Sequence, residues 1–188
     1  MASEASIAEM ADYIAHHKTR MEVENIDWHL FLAEARMSGS GSALPQTSWT
    51  LTAIASVLTG FIRRHNNLKT IGSGNIPQSG PSILPANHQT FLDAPIVISG
   101  LSKEQQRRNY FYATEEHIRG KVRRAMADRN NIIIMERTDL KNSILKMARV
   151  LQDGKSLTIF PEGTRTRTGY MSEFKKTFAI LSKELNVP

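Results

Sequence analysis

With 188 residues, 40% hydrophobic and 22% charged, the chain is sized and composed as one globular domain plus an accessory segment. The absence of cysteine removes disulfides, thiolate metal sites and cysteine nucleophiles together, and fits a reducing compartment. The formal charge of +6 is uneven: residues 1–37 hold seven acidic and three basic side chains, so residues 38–188 form a basic body suited to an anionic partner. A solvated basic surface would give the same number.

In chain order, residues 4–36 read as helical, with Ile7, Met10, Ile14, Ile26, Leu30 and Ala33 at helical spacing. The first ten residues carry two glutamates and no basic residue, unlike a secretory signal, and no apolar run approaches the roughly 20 residues needed to span a bilayer. The chain reads as intracellular. Ser38-Gly39-Ser40-Gly41-Ser42 opens a flexible linker over 38–48. A helix follows from Trp49, placing Leu51, Ile54, Ala55, Leu58, Phe61 and Ile62 on one face and ending at Arg63-Arg64-His65. That face suits a membrane interface, with arginines at phosphate level. It equally suits a protein core, which the merely Ser/Thr polar side favours.

Beyond it, short apolar strands alternate with helices. Strands are expected at 82–86, 110–113, 132–135 and 156–160. A helix capped by Thr138 buries Leu140, Ile144, Met147 and Leu151 before Asp153-Gly154, and a last helix aligns Phe174, Phe178, Leu181 and Leu185. Continuous apolar strands separated by helices predict an α/β fold, a largely parallel sheet covered on both faces and preceded by the N-terminal helical segment. Ligands of such sheets bind beyond the carboxyl ends of the strands. Two polar segments leave strands at that end.

The first is Asn87-His88-Gln89-Thr90-Phe91-Leu92-Asp93. Five residues turn an ideal helix by about 500°, so His88 and Asp93 would not share a face; they meet only if His88 lies on the turn entering the helix. A carboxylate on one ring nitrogen fixes the tautomer and leaves the other to take a hydroxyl proton. A lone His-x4-Asp pair is nevertheless weak, since a structural histidine is the commoner case. The second segment, Phe160-Pro161-Glu162-Gly163-Thr164-Arg165-Thr166-Arg167, is far more specific: its first six residues have a chance expectation on the order of 10⁻⁶. Gly163 lets the backbone approach a ligand, Arg165 and Arg167 offer planar forks for phosphate, and Glu162 can accept a ligand hydroxyl or hold an arginine.

Together, NHQTFLD and, some seventy residues later, FPEGTRTRTG resemble the glycerolipid acyltransferases of the lysophosphatidate (1-acylglycerol-3-phosphate) acyltransferase family. The likeness runs from about Lys69 to the end, and is similar above all to the acyltransferase modules fused to acyl-activating synthetases in some bacteria. The resemblance implies an O-acyltransferase domain over 49–188. It implies His88 as base, Asp93 as its orienting partner, and Glu162, Gly163, Thr164 and Arg165 around the acceptor's glycerol phosphate. It further implies Arg137, after the strand Ile132–Met135, as a second phosphate contact, and Lys175 in the Phe174-Lys175-Lys176 stretch as a further one. Asn130-Asn131 and Thr177 stand where the family often has glycine. The family continues into a further strand and helix where this chain ends at Pro188, so the domain reads as lacking its C-terminal part.

The implied reaction, in phospholipid biosynthesis, moves a fatty acyl group from an acyl thioester to the hydroxyl of a lysophospholipid acceptor. Its donor is acyl-CoA or acyl carrier protein as co-substrate, with no cofactor and no metal. The implied setting is cytoplasmic and membrane-associated, peripheral on the inner face of the membrane. The basic residues at 107–108 and 119–124 come with no nucleic-acid recognition motif, so no nucleic acid is expected. Two rival readings use the same residues: a non-catalytic lipid-binding, membrane-docking module, or an acyl-thioester hydrolase. No nucleophile-elbow serine supports a covalent hydrolase.

Overall fold

The computed structural model describes residues 26–38, 44–45, 49–114, 129–135, 139–166 and 170–188, with isolated positions over 120–127. The chain divides into two compact units, Met1–Gly39 and Ser40–Pro188. In the first, helix α1 spans Trp28–Ser38. The Asp27 carboxylate accepts the Leu30 N–H, and Trp28 meets Phe31 edge to face at 5.8 Å. Of the helix expected over 4–36, Ile26 and Asp27 are not helical, since the chain enters the helix at Trp28, and residues 4–25 lie outside the described residues.

The second unit is built on four strands, β1 (Ser82–Pro85), β2 (Asn109–Thr114), β3 (Ile132–Met135) and β4 (Ser156–Ile159). All pair in parallel, in the spatial order β1-β4-β2-β3. This is the expected α/β sheet, and each strand falls within a residue or two of its expected place. Central β4 is buried along its whole length, and Thr158, at 0% exposure, satisfies its hydroxyl by donating to Asn109 Oδ1 at 2.9 Å. Among the described residues, the α-helices of this unit are α2 (Trp49–His65), α3 (Asp93–Gly100), α4 (Lys103–Arg108), α5 (Leu140–Gln152) and α6 (Thr177–Leu185).

Helix α5 shows how pattern becomes packing. Ile144, Met147, Ala148, Val150 and Leu151 are buried, as their recurrence every three to four residues requires. Its cap is Asp139, whose side chain accepts the Asn142 N–H, and not Thr138. Phe174 falls ahead of α6, against expectation, and stands 42% exposed while Leu181 is fully buried.

On helix α2 the exposures go against the core-facing one of the two sequence readings. Leu58 and Phe61, on the expected apolar face, are 49% and 64% exposed, and Val57 is 75% exposed, while Thr59 and Ile62 are buried. Thr59 can be buried because it satisfies its hydroxyl on the Ser56 carbonyl within the helix. The helix packs on α3, and Arg63 donates to the Ser99 carbonyl there.

The asparagine standing for a family glycine also has a physical account. Asn131 has φ 55°, the left-handed region that favours glycine and tolerates asparagine. It is buried, and its amide donates to the Arg107 and Asn109 carbonyls at 3.2 and 3.3 Å. Asn131→Ala should therefore lose about 2 kcal/mol from lost hydrogen bonds and backbone strain, and Asn131→Gly less. Denaturant midpoints of the two variants check the order.

Candidate active site

Strands β1 and β4 are neighbours, with Pro85 opposite Ile159. His88 lies three residues beyond the first strand and Glu162 three beyond the second, so parallel pairing carries both past the sheet edge at matching depth. The ladder continues through the Ala86 N–H, which donates to the Ile159 carbonyl at 3.0 Å. Residues 74 apart in sequence thereby become neighbours: the His88 N–H donates to Glu162 Oε1 at 2.8 Å.

Within the first motif, His88 occupies the segment entering α3 and Asp93 is that helix's first residue. The geometry that an ideal helix forbids is met in this way, with His88 Nδ1 2.9 Å from Asp93 Oδ2. The carboxylate also accepts from the Gln89 N–H at 2.6 Å, the Thr90 N–H at 2.8 Å and the Thr90 hydroxyl at 2.9 Å. Burial works to raise the Asp93 pKa. It is outweighed by the hydrogen bonds from the Thr90 N–H, the His88 ring, the Gln89 N–H and the Thr90 hydroxyl, so the net shift is downward. Asp93 is thus held ionised, and a helix N-terminus further suits its charge.

The second motif forms a turn around Gly163, whose φ of +74° is a left-handed conformation that a side chain would strain. A Cβ there would also lie 3.5 Å from Lys175 Cε. The Lys175 N–H donates to the Pro161 carbonyl at 2.8 Å, so the 170–175 segment lies against the turn. Thr164 is exposed. The Arg165 guanidinium lies over the Phe91 ring, 3.6 Å from its centroid, and the adjacent Thr166 N–H donates to the His88 carbonyl at 2.9 Å. The arginine of one motif is thereby brought beside the residues following the histidine of the other. Arg137 and Arg167 lie outside the described residues.

Glu162 is buried, at 4% exposure, with Oε1 on the His88 N–H and Oε2 on the Ser172 N–H at 3.0 Å. The Ser172 and His88 amides together hold its pKa below the ordinary carboxylate value. A carboxyl with a lowered folded-state pKa adds stability that is complete above its unfolded value and is lost as pH falls through the folded one. Asp93 and Glu162, with ordinary values of 3.8 and 4.5, should both follow this rule. Wild-type stability is expected to decline below about pH 4, and Glu162→Gln protein to decline less steeply there. Acid titrations followed by circular dichroism check the difference.

Two aromatic contacts were not anticipated from sequence. Phe160 stacks on the His88 ring, centroids 4.2 Å apart and planes 19° apart, and Phe91 underlies Arg165. Both phenylalanines sit inside the quoted motifs, beside a histidine and an arginine that need a flat face; that was the available signal. Among the described residues, no group of three or more His, Asp or Glu could hold a metal ion.

The chain is similar to known proteins in fold and in sequence. The crystal structure of the 1-acyl-sn-glycerophosphate (LPA) acyltransferase PlsC from Thermotoga maritima superposes with a TM-score of 0.57 at 24% identity, over 72% of this chain and 55% of that one, a likeness of fold. The chloroplastic 1-acyl-sn-glycerol-3-phosphate acyltransferase LPAT1 of Arabidopsis thaliana is 30% identical over 117 residues, 60% of this chain and 32% of the relative. The chain thus spans about a third of the curated relative and just over half of the solved one. The Acyltransferase family model matches residues 67–188, and the chain belongs to that family.

Proposed function

We propose that the chain is a glycerolipid O-acyltransferase of phospholipid biosynthesis, carrying a fatty acyl group from an acyl thioester of coenzyme A or acyl carrier protein to a lysophospholipid such as 1-acylglycerol-3-phosphate. Residues 49–188 form the acyltransferase domain on this reading, with 1–37 a separate helical segment and 38–48 a linker. The observation that carries the proposal is the His88–Asp93 contact at 2.9 Å, with the Arg165 guanidinium over the ring of Phe91 in the same motif.

The chemistry follows from those contacts. With Nδ1 donating to Asp93, Nε2 is the nitrogen that accepts the acceptor's hydroxyl proton. The freed oxygen attacks the thioester carbonyl carbon, the tetrahedral intermediate collapses with cleavage of the carbon–sulfur bond, and His88 returns the proton to the thiolate. Asp93 stabilises the transient imidazolium, and Arg165, with Arg137 and Lys175, draws in the acceptor phosphate. Gly163 and Thr164 shape the turn against it. No cofactor enters this scheme. Incubation with a radiolabelled acyl thioester and lysophosphatidate tests it: labelled phosphatidate supports transfer, labelled free fatty acid favours a hydrolase, and binding without turnover favours a docking module.

The chain is also proposed to work peripherally at a membrane, on its cytoplasmic inner face. Among the described residues no helix is long and apolar enough to cross one. Support comes instead from the exposed Val57, Leu58 and Phe61 of α2, followed by Arg63 and Arg64, and from exposed Phe91 and Leu92 beside the site. Apolar side chains beside basic ones suit an anionic lipid interface. Phe61→Asp should reduce co-sedimentation with anionic phospholipid vesicles by about tenfold. Unchanged co-sedimentation would remove α2 from the contact.

A further inference from the structure

We infer that Glu162 is a positioning residue for His88, a carboxylate that sets where the base stands relative to the acceptor and does not itself bind the acceptor. The inference rests on the reading of His88 as the base.

A glutamate that ligates a substrate hydroxyl must present an oxygen to the cavity. Glu162 is 4% exposed, and each oxygen has a backbone partner, the His88 N–H at 2.8 Å and the Ser172 N–H at 3.0 Å. Hydrogen bonds from peptide N–H groups to an ionised carboxylate are among the stronger ones. Exchanging either for a ligand hydroxyl would strand a peptide donor.

The first bond is part of a grip on the backbone of one residue, through both of its flanking peptide groups. The His88 N–H is held by Glu162 and the His88 carbonyl by the Thr166 N–H at 2.9 Å, while the ring lies on Phe160 at 4.2 Å. Asp93 governs the opposite variable: its contact at Nδ1 sets the tautomer and rotation of the ring. One carboxylate therefore fixes the location of the imidazole and the other its orientation. The second bond ties the same carboxylate to the 170–175 segment. Ser172 lies between Tyr170, whose carbonyl accepts the Thr166 hydroxyl at 2.6 Å, and Lys175, whose N–H reaches Pro161. Glu162 thereby joins three stretches of chain: the segment after β1, its own turn, and the 170–175 segment.

This arrangement makes Glu162→Gln a discriminating change. The amide matches the carboxylate in shape but has one oxygen, so its NH₂ must face one of the two backbone donors. A full-length E162Q chain is assayed beside wild type with lysophosphatidate and an acyl thioester. Wild-type turnover establishes the transfer reaction before the variant is compared, so failure of that reading is seen separately. The expected result is a kcat lowered about 10- to 100-fold with the acceptor KM within about threefold, since displacement of a reacting group costs rate and not phosphate binding. If E162Q does not fold, Glu162→Asp, which keeps the charge and shortens the reach, is read by the same split. An acceptor KM raised tenfold or more at preserved kcat, or both constants unchanged, would overturn the inference.

Discussion

Replacing His88 with alanine is expected to lower kcat by about 10²- to 10⁴-fold while leaving lysophosphatidate binding within about twofold of wild type. The expectation comes from the division of labour around the ring. Asp93 fixes Nδ1, Phe160 supports the face, and the turn from Glu162 to Thr166 holds the peptide on both sides. None of these contacts depends on the imidazole for acceptor binding, so its removal deletes the proton acceptor and little else. Residual turnover would reflect the clamped acceptor and whatever stabilises the oxyanion. Steady-state kinetics paired with equilibrium binding of the acceptor check both halves. An alanine variant that turned over like wild type would end the proposal that His88 is the base.

The second large effect belongs to Arg165. Its alanine variant should raise the acceptor KM by about 10- to 100-fold with a smaller change in kcat, as expected for losing a charge-assisted phosphate contact of about 1.5–3 kcal/mol. Lysine should recover only part of this. It keeps the charge but neither the planar fork nor the guanidinium contact over the Phe91 ring, 3.6 Å from its centroid. Measuring KM for a lysophospholipid and for its dephosphorylated counterpart sharpens the test, since the Arg165 variants should lose the preference for phosphate. Equal loss with both acceptors would place the phosphate elsewhere.

What could be read from the sequence was whatever short-range chemistry determines. Ile132–Met135 is apolar throughout because both faces of a parallel strand are covered, and the structure has it as a strand. The helix face of Ile144, Met147 and Leu151 follows from the 3.6-residue period in the same way. The histidine–aspartate spacing was readable too, including the condition that the histidine precede the helix. Adjacency of β1 and β4 was not, since strand order in a parallel sheet is decided by crossover packing with no local signature. That order is why Glu162 faces a peptide N–H, which no reading of the FPEGTR turn by itself could supply. Helix α2 misled for a related reason: six apolar residues on one face specify a contact with something apolar, and the pattern does not say what. Asp139 displaced Thr138 as cap because both side chains are competent there, and neighbouring capping choices are nearly equal in propensity.

The pairing of β1 with β4 also bears on how the protein is made. A ribosome that has released residues up to about 150 has supplied histidine and aspartate, but not the strand and turn that hold the histidine's peptide. Parallel pairing across 74 residues is a late and slow event in folding. Until it happens the His88 backbone lacks its Glu162 and Thr166 partners. Nascent or proteolytically shortened forms ending before Ser156 lack both β4 and the Glu162 contact to the His88 N–H, so on the proposed reading they should transfer acyl groups poorly.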